Sequence, residues 1–259
     1  MDLKLAGRTV LVTGASKGIG LAVARWFARE GCKLCLAARS KELLEREAAA
    51  IRNDAKVEVQ VFAVDLAQDA GRKALVEACP EVDVLVNNAG AVPPGSLDDL
   101  DEAAWRAGWE LKVYGYVALT RHYLARMKAR KRGVIVNVIG AAGERPNSAF
   151  VSGSMGNAGL MAMTLALGAA GPEHGVRVVG VNPGPVATDR VVEMSRKRAQ
   201  AVLGDAERYP ELLKKNPFGR PASVDEIAAA VVFLASDLSA YTSGTILTID
   251  GGASKRPAA

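Results

Sequence analysis

The octapeptide TGASKGIG, Thr13 to Gly20, follows an apolar run, TVLV, and opens a stretch with apolar residues at Ile19, Val23 and Phe27. Glycines at 14, 18 and 20 permit a tight turn and let a diphosphate approach the free N–H groups of a helix N-terminus. The spacing thus points to dinucleotide binding through Gly14, Ser16, Lys17, Gly18, Ile19 and Gly20. Charge bears on which dinucleotide. Sites for NAD commonly end the second strand on a carboxylate that holds the adenosine ribose. Here that place reads Ala37, Ala38, Arg39, and Lys17 lies inside the glycine loop. Two cations favour a 2′-phosphate through charge-assisted hydrogen bonds, so NADP is expected and NAD is the weaker fit.

Other chemistry is less well supplied. Ser152 and Ser154 flank a glycine at a helix start, but neither has an obvious histidine partner, so a nucleophilic triad is poorly supported. Helix capping is the plainer role for both serines. Glu144 and Arg145 follow the fifth apolar run, where they suit either a substrate or a surface ion pair. Cys32 and Cys35 are spaced as CxxC, yet Cys79, His122 and His174 lie in unrelated segments, so no metal site is expected. Buried thiols fit a reducing compartment, and a cytoplasmic protein is expected.

The elements that would position these residues alternate. Strands are expected at Thr9–Gly14, Lys33–Arg39, about Val57–Val64, Val82–Gly90, Gly133–Gly140, Val176–Gly184 and Thr245–Gly252. Helices are expected at Gly18–Arg29, after a cap at Ser40, at Gln68–Cys79, in one long piece from Asp101 to Lys131, and at Ser152–Ala170 and Asp225–Leu234. Repeated βα units with runs apolar on both faces specify an α/β fold: a doubly wound parallel sheet in a single Rossmann-type domain over residues 1–259. Only the stretch from Pro185 to Pro221 is irregular; it contains short helical stretches, VVEMSRKRAQAVL and YPELLKK, does not pair with the sheet, and is expected to form a substrate lid.

Composition agrees. The 259 residues are 49% hydrophobic but only 5% aromatic, which requires an aliphatic core in one domain. The formal charge of +5 comes from scattered residues with no interleaved aromatics, which argues against nucleic acid. The densest basic run, Arg126 to Arg132, falls at a helix end, where cations complement the dipole. No run of eighteen apolar residues suggests a membrane span, the N-terminus does not read as a signal peptide, and the tail SKRPAA is expected to fray.

The TGxxxGxG pattern, NNAG at Asn87 to Gly90, NPG at Asn182 to Gly184 and the closing FLASDLSAYTSGTILTIDGG together resemble the short-chain dehydrogenase/reductase family over essentially the whole chain. The resemblance implies further cofactor contacts: Asp65 and Leu66 around the adenine, Asn87, Asn88, Ala89 and Gly90 in the next loop, and Pro183, Gly184, Val186 and Thr188 on the nicotinamide side. It also implies a small-molecule substrate and a homo-oligomer, a tetramer or dimer. The small-residue helix bearing Met155, Met161 and Met163 and the segment TSGTILTIDGG are the expected interfaces.

The same resemblance exposes a disagreement. The family uses an asparagine, a serine, a tyrosine and a lysine as its proton relay. The matching positions here are Lys112, Gly140, Gly153 and Asn157. No tyrosine lies between Tyr123 and Tyr209, and no lysine between Lys131 and Lys197, so no shift of register recovers the pair. Proton transfer needs a group of matched pKa within hydrogen-bond reach. Lys112 is the leading replacement, as acid, base or ribose clamp, with Asn157, Ser152 and Ser154 as further catalytic candidates and Tyr116 one turn away. Lysine and asparagine look exchanged between two sites, which suggests organisation more than decay. The expected function is an atypical NADP(H)-dependent oxidoreductase, with transient redox or lyase-type chemistry as a variant. The alternative is a catalytically inactive NADP(H)-binding regulatory or structural protein.

Overall fold

A computed structural model describes residues 2–256. Seven parallel strands form one sheet in the order β3-β2-β1-β4-β5-β6-β7. The strands are β1 (Thr9–Thr13), β2 (Lys33–Ala38), β3 (Val59–Ala63), β4 (Val84–Asn87), β5 (Gly133–Val138), β6 (Val176–Pro183) and β7 (Ile246–Ile249). All seven expected strands are present, most a residue or two shorter than the apolar runs. The reversal of strand order between β1 and β4 opens the crevice where ligands bind in such sheets.

Helices α1 (Gly18–Arg29), α2 (Lys41–Ala55) and α9 (Val224–Ala235) cover one face, over an aliphatic core that includes Val10, Val12, Val84, Val136 and Val231. Helix α3 (Asp69–Ala78) and the long helix after β4 cover the other, over Leu11, Leu85, Ile135 and Met127. Helix α6 (Val151–Ala170) packs beside them on β6. Ser40 caps α2 by accepting the Leu43 N–H. Cys32, Cys35 and Cys79 are buried and unbridged, and among the described residues no cluster of His, Cys, Asp and Glu could hold a metal. Among those residues, too, no helix is long and apolar enough to cross a membrane.

Three details differ from expectation. The helix after β4 is not continuous: α4 (Glu102–Trp109) and α5 (Gly115–Arg130) are joined by one wide π-turn, Glu110–Tyr114. Its mark is a Gly115 N–H donated back five residues to the Glu110 carbonyl. A single extra residue in a turn leaves the apolar periodicity nearly intact, so the sequence does not announce it. Second, the excursion from Pro185 to Pro221, which carries its expected helical stretches as α7 (Asp189–Leu203) and α8 (Tyr209–Leu213), closes on itself where its ends meet. Ala187 donates to the Ala222 carbonyl at 2.8 Å and Ala222 to that of Pro185 at 2.9 Å, closing a neck. Third, part of the tail is ordered: Ser254 and Lys255 lie in a short turn, and Lys255 pairs with Glu144. The rest of SKRPAA, beyond Arg256, lies outside the described residues.

Candidate active site

The glycine turn is built at the end of β1. Gly14 and Gly18 have φ of +68° and +59°, a region that glycine enters without the cost of a side chain. A β-carbon on Gly14 would lie 2.9 Å from the Asn88 amide nitrogen, and one on Gly20 would strike the Gly14 carbonyl. Asn88 holds the turn in place. Its side chain donates to the Thr13 carbonyl at 2.9 Å, and the N–H groups of Asn88 and Ala89 both donate to Thr13 Oγ1. Thr13 in turn donates to the Val86 carbonyl, so every polar atom of that side chain is used.

Around this turn, Ser16 and Ile19 are half-buried while Lys17 and Arg39 are exposed. Among the described residues neither cation has an ion-pair partner. Val64 donates to the Ala38 carbonyl, which places Asp65 and Leu66 beside the end of β2. One Asp65 oxygen accepts the Ala67 N–H and shapes that loop. Across the crevice, Gly184 donates to the Ile249 carbonyl beyond Pro183, and Val186 is buried in the neck. Thr188 caps α7, and its methyl group would stand 3.4 Å from a β-carbon on Gly18. Thr188 therefore brings the two halves of the crevice together. Asn87 is corrected: it lines no loop but is fully buried, donating to Thr120 and to Asn137. Asn137 donates onward to Thr164, so this polar chain ties α5 and α6 to the strands behind the crevice.

The second half is assembled from Lys112, Gly140, Asn157 and Gly153. Lys112 lies in the π-turn, only 8% exposed. Its stem crosses Gly90, where a β-carbon would come 2.5 Å from Lys112 Cδ. The ammonium donates to the carbonyls of Val138 and Ile139 at 2.8 and 2.9 Å and to the Tyr116 hydroxyl at 3.2 Å. Tyr116, also buried, donates to the Val138 carbonyl at 2.9 Å. Burial, with a contribution from the Arg190 guanidinium, pushes Lys112 down to about 7, and burial pushes Tyr116 well up. Both forms of the amine fit. An ammonium spends its three protons on the three acceptors, and a neutral amine offers its lone pair to a rotated Tyr116 hydroxyl.

Gly140 follows β5 with φ +140°, and its carbonyl accepts from the Asn157 amide at 3.3 Å. A β-carbon on Gly140 would lie 2.8 Å from that amide nitrogen. The Gly140 N–H donates to Asn182, whose amide donates to Glu144 at 2.8 Å. Glu144 also accepts from Thr248 and Lys255. Burial works to raise its pKa, but those hydrogen bonds hold it below the ordinary glutamate value. Glu144 is thus a structural brace, and Arg145 is spent on the Ala253 carbonyl.

The serines stand apart. Phe150 sits at the N-cap of helix α6 with no side-chain cap, so the capping role fails. Ser154 Oγ accepts the Asn147 N–H, and Ser152 is wholly enclosed, its hydroxyl without a partner among the described residues and its carbonyl held by Trp109. Neither hydrogen-bonds to Lys112 or Asn157. Three residues here carried no signal in sequence reading: Phe150, whose ring rests on Gly153; Asn182, noticed only as part of NPG; and Arg190, which donates across the crevice to the Val92 carbonyl at 2.8 Å.

Comparison with known proteins places this site in a family. A family model described as enoyl-(acyl carrier protein) reductase matches residues 14–254. Galactitol 2-dehydrogenase (L-tagatose-forming) of Cereibacter sphaeroides is 34% identical over 96% of each chain. The 2-(S)-hydroxypropyl-CoM dehydrogenase 3 of Xanthobacter autotrophicus is 32% identical over 97% of this chain and 98% of its own. The crystal structure of L-sorbose reductase from Gluconobacter frateurii, complexed with NADPH and L-sorbose, superposes with a TM-score of 0.92 at 30% identity, covering 99% of this chain and all of that one. The chain belongs to the short-chain dehydrogenase/reductase family, and its relatives are oxidoreductases acting on small molecules.

Proposed function

We propose that the protein is an NADP(H)-dependent oxidoreductase of a small organic substrate whose proton chemistry runs through Lys112 in place of the family's tyrosine and lysine. The observation that carries this reading is the buried Lys112 ammonium, pushed down to about 7, at the carboxyl end of β5. General acids and bases work best with a pKa near the working pH.

The cofactor fits on the chain's own geometry: a glycine turn too tight for a β-carbon at Gly14 or Gly20, and two cations, Lys17 and Arg39, unpaired among the described residues, at the adenosine end. Gly14, Ser16, Gly18, Ile19 and Gly20 would hold the diphosphate, Asp65 and Leu66 the adenine, and Asn88, Ala89, Gly90, Asn157, Pro183, Gly184, Val186 and Thr188 the nicotinamide half. When bound, the nicotinamide supplies the hydride chemistry. The protein's part is to orient the substrate, exclude water and hold a proton at Lys112 Nζ. Asn157 aligns the Gly140 backbone, and residues 185–221 serve as the lid, latched by Arg190 onto Val92. Ser152 and Ser154 stay outside this chemistry. A homo-oligomer in the cytoplasm completes the reading.

A second reading has its own support: three acceptors match the three protons of the Lys112 ammonium, as a purely structural cation would require. The protein would then bind NADP(H) without turnover. Lys112→Ala separates the two. Loss of NADPH oxidation with a turned-over carbonyl substrate, at unchanged NADPH affinity, is the expected result. Unchanged turnover removes Lys112 from the chemistry.

A further inference from the structure

Gly153 is not an empty place. A β-carbon on it would fall inside the tip of the Phe150 ring, overlapping Cζ and Cε1 and lying 2.6 Å from Cε2. The ring therefore rests directly on the glycine backbone, and no side chain fits at 153 unless the ring moves. Gly153 and Asn157 are four residues apart on α6 and so share one face. Asn157 reaches the Gly140 carbonyl just beyond β5. The Phe150 ring accordingly stands one turn further out on that same face, beyond the carboxyl ends of the strands, where sheets of this kind take their ligands. Its backbone is fixed as well: Gly95 donates to the Ala149 carbonyl at 3.0 Å and bridges to Phe150. Phe150 as a residue is only half-buried, so it retains free surface.

We propose that Phe150 is a specificity-determining wall of the substrate cleft, selecting a substrate with a planar, apolar face such as an aryl ketone or aryl carbinol. Gly153 is the partner that makes room for the ring. An aromatic face next to the reacting carbon rewards offset or edge-to-face stacking and gives nothing back to the hydroxyls of a sugar or polyol. The inference rests on the reading that NADP(H) occupies the same cleft.

The test uses the full chain saturated with NADPH and two probes of similar size, acetophenone and cyclohexyl methyl ketone, titrated by ligand-observed NMR. Acetophenone is expected to bind about 3- to 10-fold more tightly, the range a single aromatic pair supplies. Phe150→Leu keeps an apolar side chain but removes the ring, and should abolish the preference while NADPH affinity stays within about twofold. A preference that survives Phe150→Leu, or wild-type protein that binds neither probe or both equally, overturns the proposal. If NADPH itself fails to bind, the cofactor reading falls instead. The same probe pair titrated without NADPH then decides the role of the ring, with the same outcomes counting for and against it.

Discussion

Asn157 and Gly140 close on each other: the asparagine amide donates to the glycine carbonyl at 3.3 Å and fills the space a side chain on Gly140 would need. Gly140 also holds φ at +140°, which an L side chain resists. Gly140→Ser alone should therefore destabilise the fold by about 1–3 kcal/mol, from backbone strain and overpacking together. Urea denaturation measures it. A variant as stable as the parent would show that Asn157 yields freely and the two positions are not coupled.

Lys112 should leave a signature in the pH dependence of stability. Its folded pKa, about 7, lies below the ordinary lysine value, so between pH 7 and about 10.5 the unfolded chain binds the proton that the folded chain has released. Its contribution to stability consequently rises with pH across that window, by at most about 1.4 kcal/mol per unit. Lys112→Met removes the slope. Plotted against pH, the stability of the variant minus that of wild type should fall from pH 7 to 10 and stay flat below pH 6. A flat difference throughout would mean that the ammonium keeps its proton and that the three acceptors outweigh burial.

Glu144 should show the opposite limb. Hydrogen bonds from Thr248, Asn182 and Lys255 outweigh burial and depress its pKa, so its contribution is present above the ordinary glutamate value and lost as pH falls through the lower, folded one. Glu144→Gln should cost about 1 kcal/mol at pH 7 and progressively less as pH falls below the ordinary glutamate value, read from thermal or denaturant midpoints. Equal cost across that range would assign Glu144 a packing role without charge.

Arg39→Ala and Lys17→Ala test the cofactor choice. Each should weaken NADPH binding about tenfold, from the loss of a charge-assisted contact to phosphate, and leave NADH within about twofold. The NADPH loss should shrink as salt is added. Fluorescence titration of the two cofactors decides: parallel losses would place both cations on the shared diphosphate or away from the nucleotide altogether.

Much of this was legible in the chain. The βα alternation, the glycine turn and the strand runs follow from apolar continuity and turn residues, because a parallel sheet buried on both faces leaves a strong pattern. What was not legible depends on packing between distant segments. The π-turn at Glu110–Tyr114 changes the helix phase by one residue and aims Lys112 at β5, but a periodicity averaged over thirty residues hides it. The fit of Phe150 onto Gly153 is invisible for another reason: a glycine at a matched position reads as something missing, and only the fold shows what fills it. Ser152 and Ser154, hydroxyls at a helix start, suggest caps or nucleophiles in the sequence, but the helix starts without a side-chain cap and neither serine hydrogen-bonds to Lys112 or Asn157.

The closed neck at Val186 and Ala222 has a consequence for how such a chain can change. Because the two ends of the 188–221 excursion already meet, residues can be added to or removed from it while the sheet register stays fixed, at the slowly growing entropic cost of a longer loop. The neck thus makes the excursion a cassette that could be exchanged without disturbing the sheet. Grafting that of a relative onto this neck should leave Phe150, Lys112 and the glycine turn where they are.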